Sequence, residues 1–265
     1  MDSLTFAVVS GSPGAESHLA ALCADLGRAL SCDVIPSVQP SYAALKKEVE
    51  NGQAQIVWAP PLVAVELEDA GLVSIDLCCT RGGQADYHAA IFTRHASPLD
   101  AVADLKGAHV AWVDPSSSAG YLVPRMFLAS SGLDPESLFE RESFLGTHER
   151  VACAVLDGEV DAGATYLSLD PANQRPLSAG WLEAGAGING AFILAKAGPI
   201  PSDAIALSSA LAPEVRTALV KEILALPATH PEPVGGLLRA DGFAAPRTAH
   251  FAALRKLAAA RRSAS

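Results

Sequence analysis

Positive charge, patterned cysteine and long apolar runs are all scarce in this chain, and each shortage excludes something. Nineteen Lys and Arg stand against twenty-nine Asp and Glu, a formal charge of −10 spread along 265 residues. Neither nucleic acid nor an anionic membrane would meet a general basic surface, so any bound anion must be held locally. No apolar run reaches the ~18 residues of a membrane-spanning helix, the best candidates being broken by Gly, Asp or Pro. A soluble protein without membrane insertion is expected. The start, Met1-Asp2-Ser3-Leu4-Thr5-Phe6, lacks a basic segment followed by an apolar stretch. The chain as written is therefore expected in the cytoplasm, or in the periplasm if a leader has been removed. Cys23, Cys32, Cys78, Cys79 and Cys153 form no CxxC or CxxH pattern, and Cys23 and Cys153 fall on apolar helix faces. They read as buried free thiols of a reducing compartment rather than disulfides or metal ligands. The seven histidines have no zinc spacing. A Gly-x-Ser-x-Gly elbow, an HExxH helix, a Walker loop and a triple-glycine dinucleotide fingerprint are also missing, and no cofactor is expected.

What is present is a folded chain, 50% hydrophobic and 18% charged, long enough for one large or two modest domains. Short β-branched runs alternate with helical periodicity, the pattern of an α/β fold with largely parallel strands. Strands are expected at Phe6–Val9, Ile56–Ala59, Val73–Leu77, Ala89–Thr93, His109–Val113 and Asp161–Tyr166. The turn Ser10-Gly11-Ser12-Pro13-Gly14 leads into a helix whose stripe is Leu19, Leu22, Cys23, Leu26 and Leu30. Further helices are expected at Tyr42–Glu50, Gly120–Ser131, His148–Leu156, Pro213–Leu226 and Pro246–Ala260. Trp58 and Trp112 read as core, and Arg261–Ser265 as a short frayed tail.

The chain also echoes itself. Ser10 and Ser116, Tyr42 and His148, and Gly52 and Gly158 share one offset of 106 residues. Each set reads as a serine in a strand-to-helix turn, a helix start, and a helix stop. Three coincidences at one offset predict two similar α/β lobes. Equivalent loops at the carboxyl ends of their strands would face a cleft that closes by hinge motion.

The segment richest in chemistry is Asp114-Pro115-Ser116-Ser117-Ser118-Ala119-Gly120, directly after an expected strand. Three hydroxyls meet a helix N-terminus there, where unpaired N–H groups and the positive end of the dipole hold an anion without Lys or Arg. An ordinary serine cap, worth about 1 kcal/mol, would need only one of the three. Three serines with a Gly that permits close backbone approach favour an anion site.

Residues Ser97-Pro98-Leu99, Asp104-Leu105-Lys106-Gly107 and Val110 through Pro124 together resemble the core signature of the phosphate/phosphite/phosphonate substrate-binding proteins of ABC transporters. The resemblance continues through Gly146-Thr147-His148, Gly158 through Ala164, Gly198 through Asp203, Leu211 through Val215 and Asp241-Gly242-Phe243. It implies a two-lobed type II periplasmic-binding-protein fold, with residues 1–93 and 196–265 in the first lobe and 94–195 in the second. It further implies an anionic head on Ser116, Ser117 and Ser118, with Tyr42 and Tyr87 facing the cleft from the first lobe. His148 would contact the anion from the second lobe, and Asp203 would lie beside the ligand's other end. On the residues alone, the tyrosines equally fit core-covering rings, His148 a solvent-exposed helix start, and Asp203 a turn or cap residue.

Two departures bear on function: Ala119 stands where the pattern has another Ser, and Thr165–Leu169 lacks the carboxylate with which aminophosphonate binders pair the ligand amine. The expected function is a solute-binding protein closing around a small oxyanion (phosphate, phosphite or phosphonate-like). It would act as a transport receptor with an ABC permease or as a cytoplasmic sensor with a signalling partner. The alternative is an enzyme of lyase or dehydratase type on the same fold, with His148 or Asp203 as acid or base.

Overall fold

The computed structural model describes residues 3–10, 14–247, 251–252, 254–256 and 258–259. In chain order the elements are β1 (Ser3–Val9), α1 (Ala15–Leu30), β2 (Asp33–Gln39), α2 (Tyr42–Glu50), β3 (Ile56–Ala59), α3 (Pro61–Asp69), β4 (Val73–Thr80) and β5 (Asp86–Thr93). They continue with β6 (His109–Trp112), α4 (Val123–Ser130), β7 (Arg141–Phe144), α5 (His148–Leu156), β8 (Ala162–Leu169), β9 (Pro176–Ala179) and α6 (Gly180–Glu183). The last are β10 (Phe192–Pro201), β11 (Ala204–Ser208), α7 (Pro213–Thr229), α8 (Pro231–Leu238) and β12 (Gly242–Ala244). Two compact units result, Met1–Ala85 with Pro201–Ser265, and Asp86–Ile200.

The first unit is built on a sheet of order β12-β4-β11-β3-β1-β2. Its β1 runs parallel to both β2 and β3, and β11 is antiparallel to β3. Alternate residues Leu4, Phe6 and Val8 meet the α1 stripe Leu19, Leu22, Cys23 and Leu26, and α7 adds Leu219, Ile223 and Leu226 to the same core. Each such side chain, taken out of water, contributes about 1.5–3 kcal/mol. The intervening Ala7 is equally buried, so β1 carries a continuous apolar run instead of an alternating one, as a strand covered on both faces must. Pro36 sits in β2, whose place at the sheet edge tolerates a residue with no N–H to donate.

The second unit repeats this plan in the order β10-β5-β8-β6-β7, with β9 beside β8. Here β6 is parallel to β7 and β8, and β5 is antiparallel to β8. One face packs Ala90, Phe92, Ala111 and Val113 on Val151, Val155 and Trp181. The other packs Ile91, Val110 and Trp112 on Leu128 and Leu138. The 106-residue echo has a structural counterpart in α2 and α5, nine residues each. Their caps match too: Ser41 Oγ accepts from the Ala44 N–H at 3.2 Å, and Thr147 Oγ1 from the Arg150 N–H at 3.2 Å. Gly52 (φ 70°) and Gly158 (φ 76°) then stop the helices in the left-handed region that glycine enters freely.

Several expectations shift. The lobe boundaries expected at 93/94 and 195/196 lie instead at Ala85/Asp86 and Ile200/Pro201. Residues His88 to Phe92 of β5 pair with β8, and β10 lies beside β5 in the same sheet. Strands β2, β7, β9, β10, β11 and β12 add to those expected, most of them short, edge-placed or interrupted by Pro and Gly. The Gly11–Pro13 turn and the Arg261–Ser265 tail lie outside the described residues, as do parts of the helix expected over 246–260. Cys23, Cys78 and Cys79 are buried free thiols, whereas Cys32 and Cys153 are partly exposed.

Candidate ligand-binding site

The serine-rich turn begins where β6 ends. The Val113 N–H donates to the Gly120 carbonyl at 3.1 Å and the Ser117 N–H to the Asp114 carbonyl at 2.9 Å. The Asp114 carboxylate accepts from the Ser116 N–H at 2.7 Å. Ser117 caps the helix, its Oγ accepting from the Gly120 N–H at 3.0 Å. The helix expected from Gly120 starts at Ser118 with a wide π-type turn, Ser118–Leu122, that runs straight into α4. Gly120 is dictated by closeness: a Cβ there would lie 2.3 Å from Val113 Cγ2. Ser117 and Ser118 are buried, at 5% and 3% exposure. They differ in one respect: among the described residues, Ser118 Oγ has no hydrogen-bond partner. A hydroxyl left so costs about 1–3 kcal/mol, and it stands beside the N–H groups that open a helix, where nothing within the helix precedes them.

The same strand end carries the second expected group. The Gly146 N–H donates to the Val113 carbonyl at 2.8 Å, which ties the loop before α5 to the serine turn. His148, half-buried, follows the Thr147 cap. Its Nδ1 lies 3.0 Å from Thr165 Oγ1, and its ring meets Tyr166 edge-to-face at 5.0 Å. The Tyr166 hydroxyl donates to Glu183. Tyr87, 9% exposed, packs with Ala89, Ala119, Ala197 and Ile200, and Tyr166 covers the same cluster. Tyr87, the serine turn and His148 therefore converge at the carboxyl end of β6 within one unit. Tyr87 was expected from the first lobe; because β5 pairs with β8, it belongs to the second unit.

The remaining expected residues lie in the first unit. Tyr42 opens α2 immediately after its Ser41 cap and is half-buried. Asp203, just before β11, is ion-paired to Arg81 at 2.6 Å, with both side chains mostly covered. Its carbonyl accepts from the Cys79 N–H at 2.8 Å. Arg81 also reaches Ser202 Oγ at 3.5 Å. Sequence reasoning missed Arg81 and Glu183. Arg81 is 122 positions from Asp203, and Glu183 is 17 from Tyr166, so no local motif links either pair.

Residues 6–251 match the model of a family described as the periplasmic substrate-binding protein of the phosphonate ABC transporter. The chain belongs to this family. As a substrate-binding protein of an ABC transporter it serves as a solute receptor, with a small ligand and a permease as its partners. Among solved structures, XAC2383 from Xanthomonas citri bound to ATP is 19% identical, with a TM-score of 0.78 over 99% of this chain and 98% of that one. The binding-protein component of a phosphonate transporter from Pseudomonas aeruginosa is 21% identical, with a TM-score of 0.77 over 98% and 87%. PhnD1 from Prochlorococcus marinus, in complex with methylphosphonate, is 14% identical, with a TM-score of 0.77 over 98% and 98%. At these identities the structures establish the fold of the substrate-binding protein, a two-lobed type II periplasmic-binding-protein fold. Neither the enzyme alternative nor a signalling partner finds support in them. The family is a periplasmic one, and no helix among the described residues is long and apolar enough to cross a membrane.

Proposed function

We propose that this substrate-binding protein receives a small tetrahedral oxyanion, a phosphate, phosphite or phosphonate, in the periplasm and delivers it to an ABC permease. The observation that carries this reading is the buried Ser118 hydroxyl, unpartnered among the described residues, at the start of a helix whose glycine is dictated by close packing. Such a group is stabilised when an acceptor with several oxygens takes its proton and the neighbouring N–H groups together. Charge suits the site as well. The serine turn has no Lys or Arg, and a helix N-terminus supplies the positive potential that a chain of charge −10 otherwise lacks.

We assign the anionic head to Ser116, Ser117, Ser118 and His148, with Tyr42, Tyr87 and Asp203 as further contacts. The resemblance of the sequence to its family and the 106-residue echo support that assignment. Two tertiary contacts bear on the rest of the ligand. Asp203 is already neutralised by Arg81, which weakens its draw on an ammonium group. Glu183 nevertheless stands at the Tyr166 hydroxyl and supplies a carboxylate that the Thr165–Leu169 segment lacks.

Thermal stabilisation against phosphate, phosphite, methylphosphonate, 2-aminoethylphosphonate, ATP, sulfate and acetate tests the reading. A true ligand at a hundred times its dissociation constant adds about 2.7 kcal/mol. One or more of the phosphorus oxyanions should stabilise the protein and be recovered unchanged. Stabilisation by sulfate or acetate alone, or none by any compound, would overturn the proposed ligand class.

A further inference from the structure

We propose that Thr165 is the positioning residue for His148, setting its tautomer so that the Nε2 nitrogen carries the proton offered to the anion. This rests on the reading that His148 meets the ligand. A hydroxyl is both donor and acceptor, and a buried one must place its hydrogen on some acceptor. Thr165 is fully buried on β8. Among the described residues, the bond its hydroxyl makes is to His148 Nδ1, at 3.0 Å. If Nδ1 carried the proton and donated, the Thr165 hydrogen would be left buried with no acceptor among the described residues, at the cost of an unmade hydrogen bond. The hydroxyl therefore donates, Nδ1 accepts, and the neutral imidazole keeps its hydrogen on Nε2.

The surroundings hold this arrangement in place. A Cβ on Gly180, the first residue of α6, would lie 2.3 Å from Thr165 Oγ1 and 3.0 Å from the His148 carbonyl oxygen, so only glycine leaves the hydroxyl room. At the other end of α6, Glu183 accepts from the Tyr166 hydroxyl, and the Tyr166 ring stands at 86° to the imidazole. Three residues of β8 and α6 thus fix the ring's rotation while Thr165 fixes its proton. A neutral donor of set direction adds to the serine hydroxyls and helix N–H groups without requiring a charged histidine.

Ring-nitrogen NMR of the ligand-free protein, labelled with ¹⁵N-histidine and assigned with His148→Gln, reads the tautomer directly. Nε2–H with unprotonated Nδ1 is expected in the wild type. Thr165→Val should mix or reverse the tautomers, Thr165→Ser should restore them, and Gly180→Ala should act like Thr165→Val by displacing the hydroxyl. An Nδ1–H tautomer in the wild type, or an unchanged tautomer in Thr165→Val, overturns the proposal. Titration with phosphate and methylphosphonate supplies a second arm, with affinity expected to fall about tenfold in Thr165→Val and to return in Thr165→Ser. Unchanged affinity in Thr165→Val while His148→Ala is impaired also overturns it. Unchanged affinity in both variants places the failure in the reading that His148 meets the anion.

Discussion

At the scale of single residues, adjacent serines with the same side chain have different duties. Ser117 spends its hydroxyl on the Gly120 N–H, so Ser117→Ala removes a helix cap and should cost about 1 kcal/mol of stability. Ser118 makes no such bond among the described residues. Its replacement by Ala should leave the urea midpoint unchanged or slightly raised, while affinity for the stabilising oxyanion falls ten- to a hundredfold, the worth of a hydrogen bond to a charged group at about 1.5–3 kcal/mol. Isothermal titration beside urea unfolding separates the two effects. Equal loss of stability in both variants would show that Ser118 is structural. The sequence marks this segment as special, because three hydroxyls exceed what a cap needs. It does not mark which hydroxyl is spent within the chain, since that depends on where the Gly120 N–H points once Val113 has packed against the turn.

At the scale of elements, α2 and α5 make the internal echo testable. Both are nine residues long, capped by a hydroxyl and stopped by a left-handed glycine. Ser41→Ala and Thr147→Ala should therefore each lower the urea midpoint by a similar amount, about 1 kcal/mol. A loss confined to one of the two would mean that the helices, though alike in sequence spacing, are held by different means. The elements legible in the sequence were those with strong periodicity and clear ends: α2, α5 and β3 have the expected bounds. Strand β2 was missed because Pro36 argues against a strand until its place at the sheet edge is known. Strand β10 was missed for a related reason, as Gly198, Pro199 and Pro201 read as a turn.

At the scale of the whole molecule, burial of thiols couples stability to alkaline pH. Burial pushes Cys23 up to about 12, as it does Cys79, whose thiolate the nearby Asp203 carboxylate disfavours further. Cys78 is raised to about 11 by the same two causes. Below pH 9 these thiols are protonated in both states, and stability is fully present. Above pH 9 the unfolded chain loses protons that the folded chain keeps, so stability falls as pH rises towards 11–12, by about 1.4 kcal/mol per thiol per pH unit. Melting temperature should decline more steeply between pH 9 and 10.5 in the wild type than in Cys23→Ala. Parallel curves would show that Cys23 ionises as readily folded as unfolded.

Composition, periodicity and spacing by themselves determined that this is an α/β chain with a repeated helix and a serine-rich turn that opens a helix without a basic side chain. They also carried the family signature. These features are local: a cap, a stripe or a run of serines acts within one or two turns of the chain. Only the tertiary structure decided that Tyr87 belongs to the second unit, that Arg81 neutralises Asp203, and that Glu183 reaches Tyr166. It also brought Thr165 onto His148. Each of these depends on which strand pairs with which, and strand pairing joins residues that are distant in sequence. A hydrogen bond or an ion pair works over about 3 Å, and nothing in the order of residues states which distant groups the sheets bring that close.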